Sequence, residues 1–527
     1  MNRISRHIAS LSTLVAALVL FAYFLGGLPY HLFYREQTQL FMYTSYSLEA
    51  YFKHPGILAC LAGDFLTQFF YYEGGGPIIV TLVLLVWGIV VYRLFFPYMG
   101  KWALLLAAVA VVWETARQSG VEYPLSATIA LIGGGGCSLL IRRLMQRFGE
   151  RIFVVKLLAF VVVAGSYMLF GYGCFLTAVF LFNKRQLLLS CLLLFEAILV
   201  PIYGHCSCLL TWKQAYTYPS TTWFNRPDFH LERMLAVDSE YYFGRINKVE
   251  GDLLVIKTEQ MLPTYYYNLL NGNKGFLPLQ LMNVWQLGSK GLFLPVIPTS
   301  NYMEIYAANE VWFELGDMTM AEHAALLGMI FSPRHTGARA IKRLAEINLI
   351  NGDDAAAMIY LRMLGKTLCY REWATKRLPG KQTERVRKWL EEKKSVLPHR
   401  DTLRRASDIR LSLRCLLSAN RKNVMACDYL LCYDLLSKRI GDFFTDFREF
   451  YGERPLCRLY AEGLLIYLAG SGQSPESVRQ WKIPLQVCAE FSDYSKVYER
   501  SRGDGTFLES KYGKTYWFYF HYARIRP

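Results

Sequence analysis

The side chains best suited to chemistry in this 527-residue chain are few and far apart. Glu196 falls near the middle of the apolar stretch 187–203, where a carboxylate is costly and by default marks function. Its plainer reading is a protonated or hydrogen-bonded packing group. Arg35, Glu36 and Asp64 stand with Glu49, Lys53 and Glu73 in an aromatic-rich segment between positions 29 and 77. His205, Cys206 and Cys208 are metal-ligand types in a short run, yet no CxxC pair at zinc-site spacing accompanies them, and no metal is expected. Small buried hydrophobes account for most of the 12 cysteines. A disulfide from Cys206 onward is open only if that half lies outside the cytoplasm. Seven aromatics crowd 512–522, a stripe that reads as core or interface packing rather than a ligand site. No nucleophile–base–orienter set is visible, nor a P-loop, nor a GxGxxG after a strand, so no cofactor is expected.

The elements that must position these residues divide by composition. Of 58 Lys+Arg, 14 lie in 1–204, and of 42 Asp+Glu, 8 do. An apolar front and a charged remainder put a domain boundary near 205. Crossing the ~30 Å hydrocarbon core takes about 20 mainly apolar residues whose backbone groups bond internally. Segments 11–28, 78–96, 102–115, 125–141 and 187–203 read as such spans. The first follows Arg3, Arg6 and His7 but runs on into Tyr30, Leu32 and Phe33, so it is expected to be retained rather than cleaved as a signal. Gly133 to Gly136 in the fourth span would let another helix approach closely.

The stretch 153–182 is too long for one ordinary span, and Gly171-Tyr172-Gly173 breaks it. Arg142, Arg143, Arg147, Arg151 and Lys156 precede it, and Lys184 and Arg185 follow. If both basic clusters are cytoplasmic, the stretch crosses twice as two short helices. That gives about seven spans, a cytoplasmic N-terminus and a C-terminal half outside the inner membrane. Of the 14 basic residues, 11 then lie inside, and only Arg35, Lys53 and Arg117 lie outside. One long kinked helix would instead give six spans and an internal C-terminus. The loop 29–77 mixes rings and charges as interfacial helices do, and Gly74-Gly75-Gly76-Pro77 closes it and opens the next helix.

Beyond 205, Gly and Pro punctuate short apolar-periodic segments, with few alternating β-branched runs. That pattern predicts helices joined by turns. Leu315-Gly316-Asp317 precedes Ala321, Ala325, Gly328 and Pro333; 36 residues later Asn351-Gly352-Asp353 precedes Ala357, Leu361 and Leu364. The basic run 381–394 is interrupted by Glu384, Glu391 and Glu392, so it reads as a solvated helix and nucleic acid is not an expected partner.

Three groups of residues carry a resemblance: Arg35-Glu36-Gln37, Phe65-Leu66-Thr67-Gln68-Phe69-Phe70-Tyr71 and Thr515-Tyr516-Trp517-Phe518-Tyr519. Over most of its length the chain resembles an uncharacterised bacterial family of large membrane proteins, a likeness that implies no activity. The Gly-Asp spacings resemble the tetratricopeptide repeat, whose period is near 34, with Ala325 or Leu361 where a large aromatic is usual. The membrane half is similar, more distantly, to polyprenol-phosphate-dependent glycosyltransferases of the GT-C type. That similarity implies Glu36, then Asp64, as the catalytic carboxylate and Arg35 as a phosphate ligand, although the adjacent acid pair often seen there is missing. The expected fold is all-α: a transmembrane bundle over 1–205, then a soluble, tetratricopeptide-like domain over 206–527. Two functions follow as expectations. One is a membrane-anchored scaffold that binds cell-envelope proteins; the other is a transferase acting on a lipid-linked sugar. The bilayer is a partner in both.

Overall fold

The computed structural model describes residues 3–148, 152–182, 186–220, 222, 226–255, 260–295, 302–332, 335–400, 408–472, 480–501 and 504–524. Arg151, Lys184 and Arg185 lie outside the described residues, as do the side chains of Arg3, Arg6, His7 and Lys156. Every regular element among the described residues is helical. The contacts divide the chain into two compact units that are not continuous in sequence. Unit 1 is Met1–Leu235, Ser332–Arg339 and Leu361–Thr375; unit 2 is Ala236–Phe331, Ala340–Tyr360 and Lys376–Pro527.

In unit 1, α1 (Arg3–Gly27) and α2 (Tyr30–Gln37) are bent by 75° at Leu28 and Pro29. Then come α3 (Ser45–Glu49), α4 (Ile57–Thr67), α5 (Gly75–Met99), α6 (Ala103–Gln118) and α7 (Leu125–Phe148). The unit's remaining helices include α8 (Ile152–Phe170), α9 (Gly173–Phe180), α10 (Leu187–Ser207) and α11 (Trp212–Thr217). The end of α1 packs on the start of α5 through Phe24, Leu28, Leu32, Val80 and Leu84, all buried. Each such side chain contributes about 1.5–3 kcal/mol of transfer free energy before ordering costs. Hydropathy runs unbroken through Gly75–Gln118, but the chain folds back at Gly100, whose φ is +54°. The Trp87 indole of α5 donates to the Ala110 carbonyl of α6 at 3.3 Å.

The glycine run of α7 makes the close approach expected of it. A Cβ at Gly134 would lie 2.0 Å from the Gly173 carbonyl oxygen, and Thr177 donates to the Gly134 carbonyl at 3.0 Å. The chain between α8 and α9 turns at Gly171, with φ +55°. Among the described residues, three helical stretches are long and apolar enough to cross a membrane, or four if the bent α1–α2 pair is one span. That count is smaller than about seven. The difference lies partly in 153–182, where α9 has eight residues and a rise of only ~12 Å, well short of the hydrocarbon thickness.

Unit 2 repeats one turn. Backbone N–H groups five residues on donate to the Glu240, Trp312, Asn348 and Asp434 carbonyls at 2.9 Å, and to that of Asn271 at 2.8 Å. Each turn reverses the chain at a residue of positive φ: Gly244, Gly275, Gly316, Gly352 and Lys438. This is the six-to-one bond of a glycine-type helix stop, which satisfies a carbonyl the helix leaves open. The two Gly-Asp turns seen in the sequence agree in detail. Asp317 Oδ1 accepts from Met320 N at 3.2 Å, and Asp353 Oδ1 from Ala356 N at 2.9 Å, so each aspartate starts the next helix. Ile409–Ala419, Val424–Leu436, Ile440–Phe450 and Arg458–Gly470 then pack each on the next. The C-terminal aromatics close this run. Tyr516 N donates to Glu462 Oε2 at 2.7 Å, while the Tyr516 and Tyr519 hydroxyls donate to the Leu435 and Leu436 carbonyls at 2.9 and 2.7 Å.

Candidate functional site

The polar residues of unit 1 gather where α2, the end of α6 and the start of α7 meet. Every residue of α2 from His31 to Gln37 is buried, so each polar group there needs a protein partner. Glu232 supplies one: it accepts from Tyr30 N and from His31 N, the latter at 3.2 Å, and lies 3.4 Å from the His31 ring. Arg35 points at carbonyls rather than carboxylates. Its guanidinium donates to Gln118 Oε1 and O at 2.9 Å each, to Val121 O at 3.3 Å and to Gly120 O. Four of its five N–H groups are thus committed to the end of α6. Beneath it, Glu114 accepts from Thr128 at 2.6 Å, Tyr123 at 2.7 Å and Arg117 at 3.1 Å.

Glu36 is 3 % exposed, and both its oxygens stand 2.9 Å from the Tyr370 hydroxyl, a residue 334 positions away. Together with Gln39, Gln68, Thr367 and Cys369 this pair lines a small polar recess. The Cys369 thiol donates to the Gln68 carbonyl at 3.2 Å, and Gln39 Nε2 is buried without a hydrogen-bond partner. Burial, and after it the Glu36 charge, pushes the Cys369 thiol up to about 11. The same two causes raise the Tyr71 phenol, whose ring meets that of Tyr370 edge-on at 5.2 Å.

Of the residues picked from sequence, Arg35 and Glu36 are brought into this buried region by the same short helix. Asp64 is half-buried, accepts from the Tyr51 hydroxyl at 2.8 Å and is not among the recess residues. Glu196 is on α10, with its Oε2 buried and unbonded. His205 Nδ1 donates to the Leu210 carbonyl at 2.7 Å, and the ring stacks on Trp212. Among the described residues no three His, Cys, Asp or Glu side chains gather as metal ligands. Tyr370, Cys369, Gln118 and Glu114 were not singled out from sequence; Glu114, a lone acid at the end of an apolar segment, was the one with a signal. The recess, walled in part by Leu40 and Phe41, offers one hydrogen-bonded carboxylate, two amides, the Thr367 and Tyr370 hydroxyls and a thiol held as the acid. That set can grip a small polar group but supplies no second carboxylate for acid–base work.

A family profile described as a family of unknown function (DUF6057) matches residues 4–523. No curated protein and no solved structure matches the chain.

Proposed function

The chain belongs to the DUF6057 family, and from its own architecture we propose that it is a membrane-anchored scaffold. In this reading a multi-pass bundle holds it in the inner membrane, and a tetratricopeptide-like array of helical hairpins binds cell-envelope proteins outside the cytoplasm. One observation carries the proposal: the same helix-stopping turn recurs in unit 2 at Gly244, Gly275, Gly316, Gly352 and Lys438. Successive helical hairpins stack into extended surfaces suited to peptide segments. The orientation draws support from unit 1. Arg142 donates to the Leu94 carbonyl and the Tyr98 hydroxyl, which brings the basic end of α7 to the α5–α6 turn with Lys101. Gln118 ends α6 at the opposite end from that turn, and Arg35, next to Glu36 on α2, donates to it, so under the positive-inside rule this region falls outside.

Arg35 is bonded to carbonyls at the end of α6 and Glu36 to the Tyr370 hydroxyl, which supports the scaffold reading over a transferase. Affinity purification after cross-linking tests it: one or more proteins should return repeatedly, and disrupting a unit 2 turn should lose them while the chain stays in the membrane. Repeated recovery of the chain with no other protein contradicts it. The transferase reading retains one supporting observation, the Glu36–Tyr370 recess. Under it, Glu36→Gln and Asp64→Asn alter surface glycans and lipid-linked sugar pools as deletion of the gene does; unchanged glycans after deletion rule it out.

A further inference from the structure

We propose that the recess beside Glu36 is a binding site for a single hydroxyl group, held between the Glu36 carboxylate and the Gln39 amide. The inference rests on unit 1 alone, to which every residue of the recess belongs, and on neither functional reading above. It begins from an unmet donor. Gln39 Nε2 is buried with no hydrogen-bond partner, a state that costs free energy until an acceptor arrives. The backbone fixes where this residue stands. Its N–H donates to the Glu36 carbonyl at 3.2 Å, and its carbonyl accepts from Ala338 N at 3.3 Å.

The other side-chain donors of the recess are already committed. Gln68 Nε2 donates to the Phe65 carbonyl at 2.7 Å and to the Tyr43 hydroxyl at 3.2 Å. The Thr367 hydroxyl donates to the Leu364 carbonyl at 2.7 Å, the Cys369 thiol to the Gln68 carbonyl at 3.2 Å, and the Tyr370 hydroxyl to Glu36. That leaves the Gln39 amide to meet an occupant. Glu36 is the acceptor beside it, since a carboxylate offers about four lone-pair sites, more than the Tyr370 hydroxyl fills.

This pair selects what it holds. An anion would satisfy the amide but stand against the Glu36 charge. A cation would suit Glu36 and leave the amide unmet. A hydrocarbon would pack on Leu40 and Phe41 yet satisfy neither polar group. A hydroxyl has one donor and two acceptor sites, so it can donate to Glu36 while accepting from Gln39. The space admits about one oxygen-sized group. Water carries that chemistry, and so does one hydroxyl of a carbohydrate whose ring stays at the mouth.

The test uses the full chain purified in detergent. Gln39→Met keeps the length of the side chain and removes its amide. With a hydroxyl bridging Gln39 and Glu36, the variant should unfold roughly 2–4 °C below the parent chain, the shift of one ordinary hydrogen bond in a unit of this size. An empty recess gives the opposite sign, because the substitution then removes an unmet donor; a midpoint equal to or above the parent's overturns the proposal. Density maps of the parent chain, with and without methyl glucoside in excess, reveal the occupant directly. A peak within hydrogen-bonding distance of both Gln39 Nε2 and a Glu36 oxygen is expected, and Gln39→Met should lose it. An isolated peak in both maps identifies water, and a peak continuous with a sugar ring identifies a carbohydrate hydroxyl. A recess without density, or a peak unchanged in Gln39→Met, overturns the proposal.

Discussion

At the scale of single residues, the most consequential contact joins Glu36 to Tyr370. A buried carboxylate that loses a hydroxyl donor bears a desolvation cost of about 1–3 kcal/mol. Tyr370→Phe keeps the ring and removes the donor, so thermal unfolding in detergent should occur at lower temperature by that free energy; an unchanged midpoint would deny the contact its weight. Cys369 gives a second prediction. With its thiol held up to about 11, the thiolate at pH 8 is roughly a hundredfold scarcer than in an ordinary cysteine. Maleimide should label Cys369 slowly in the folded chain and quickly once it is unfolded. Equal rates would mean that the thiol is not held in its acid form. Neither contact was legible in the sequence. Arg35-Glu36-Gln37 drew notice for its place beyond the first span, but Gln118 and Tyr370 carry no local sign of meeting it, because long-range pairs leave no periodicity.

At the scale of elements, local chemistry was far more legible. The Gly-Asp turns at 316 and 352, the break at Gly171 and the close approach at Gly134 each depend on residues adjacent in sequence. Glycine takes the positive φ at 316 and 352 without the strain an added Cβ brings, so Gly352→Ala should destabilise by about 1 kcal/mol, since its added Cβ meets open space. Gly316→Ala should cost more, because its Cβ would lie 2.7 Å from the Val396 carbonyl oxygen. Denaturant unfolding orders the two; an equal or reversed order would mean that the turn at 316 relaxes. Asp434, fully buried, lies 3.2 Å from the Arg410 Nε. Burial, opposed by Arg410 and Arg439, pushes its carboxyl up to about 7. A carboxyl raised on folding contributes stability that is present below about 4 and lost as pH rises through about 7. Unit 2 should therefore weaken between pH 5 and pH 8, and Asp434→Asn should flatten that slope in unfolding measured at the two values. A slope unchanged in the variant would assign it to other groups.

At the scale of the whole molecule, the all-α class was legible from the lack of alternating runs. The division into units was less so, because segments 332–339 and 361–375 belong with the first 235 residues and nothing in their composition sets them apart. Span counting was the other difficulty. The fold at Gly100 falls between 78–96 and 102–115, the two segments the sequence separates, but the stretch 153–182 reads as long enough to cross twice although α9 is too short to cross alone. The central claim is that a membrane bundle presents unit 2 outside the cytoplasm. Reporters active on only one side of the membrane, fused after residues 150 and 230, test it most directly. The account predicts cytoplasmic activity at 150 and external activity at 230; cytoplasmic activity at 230 would contradict it.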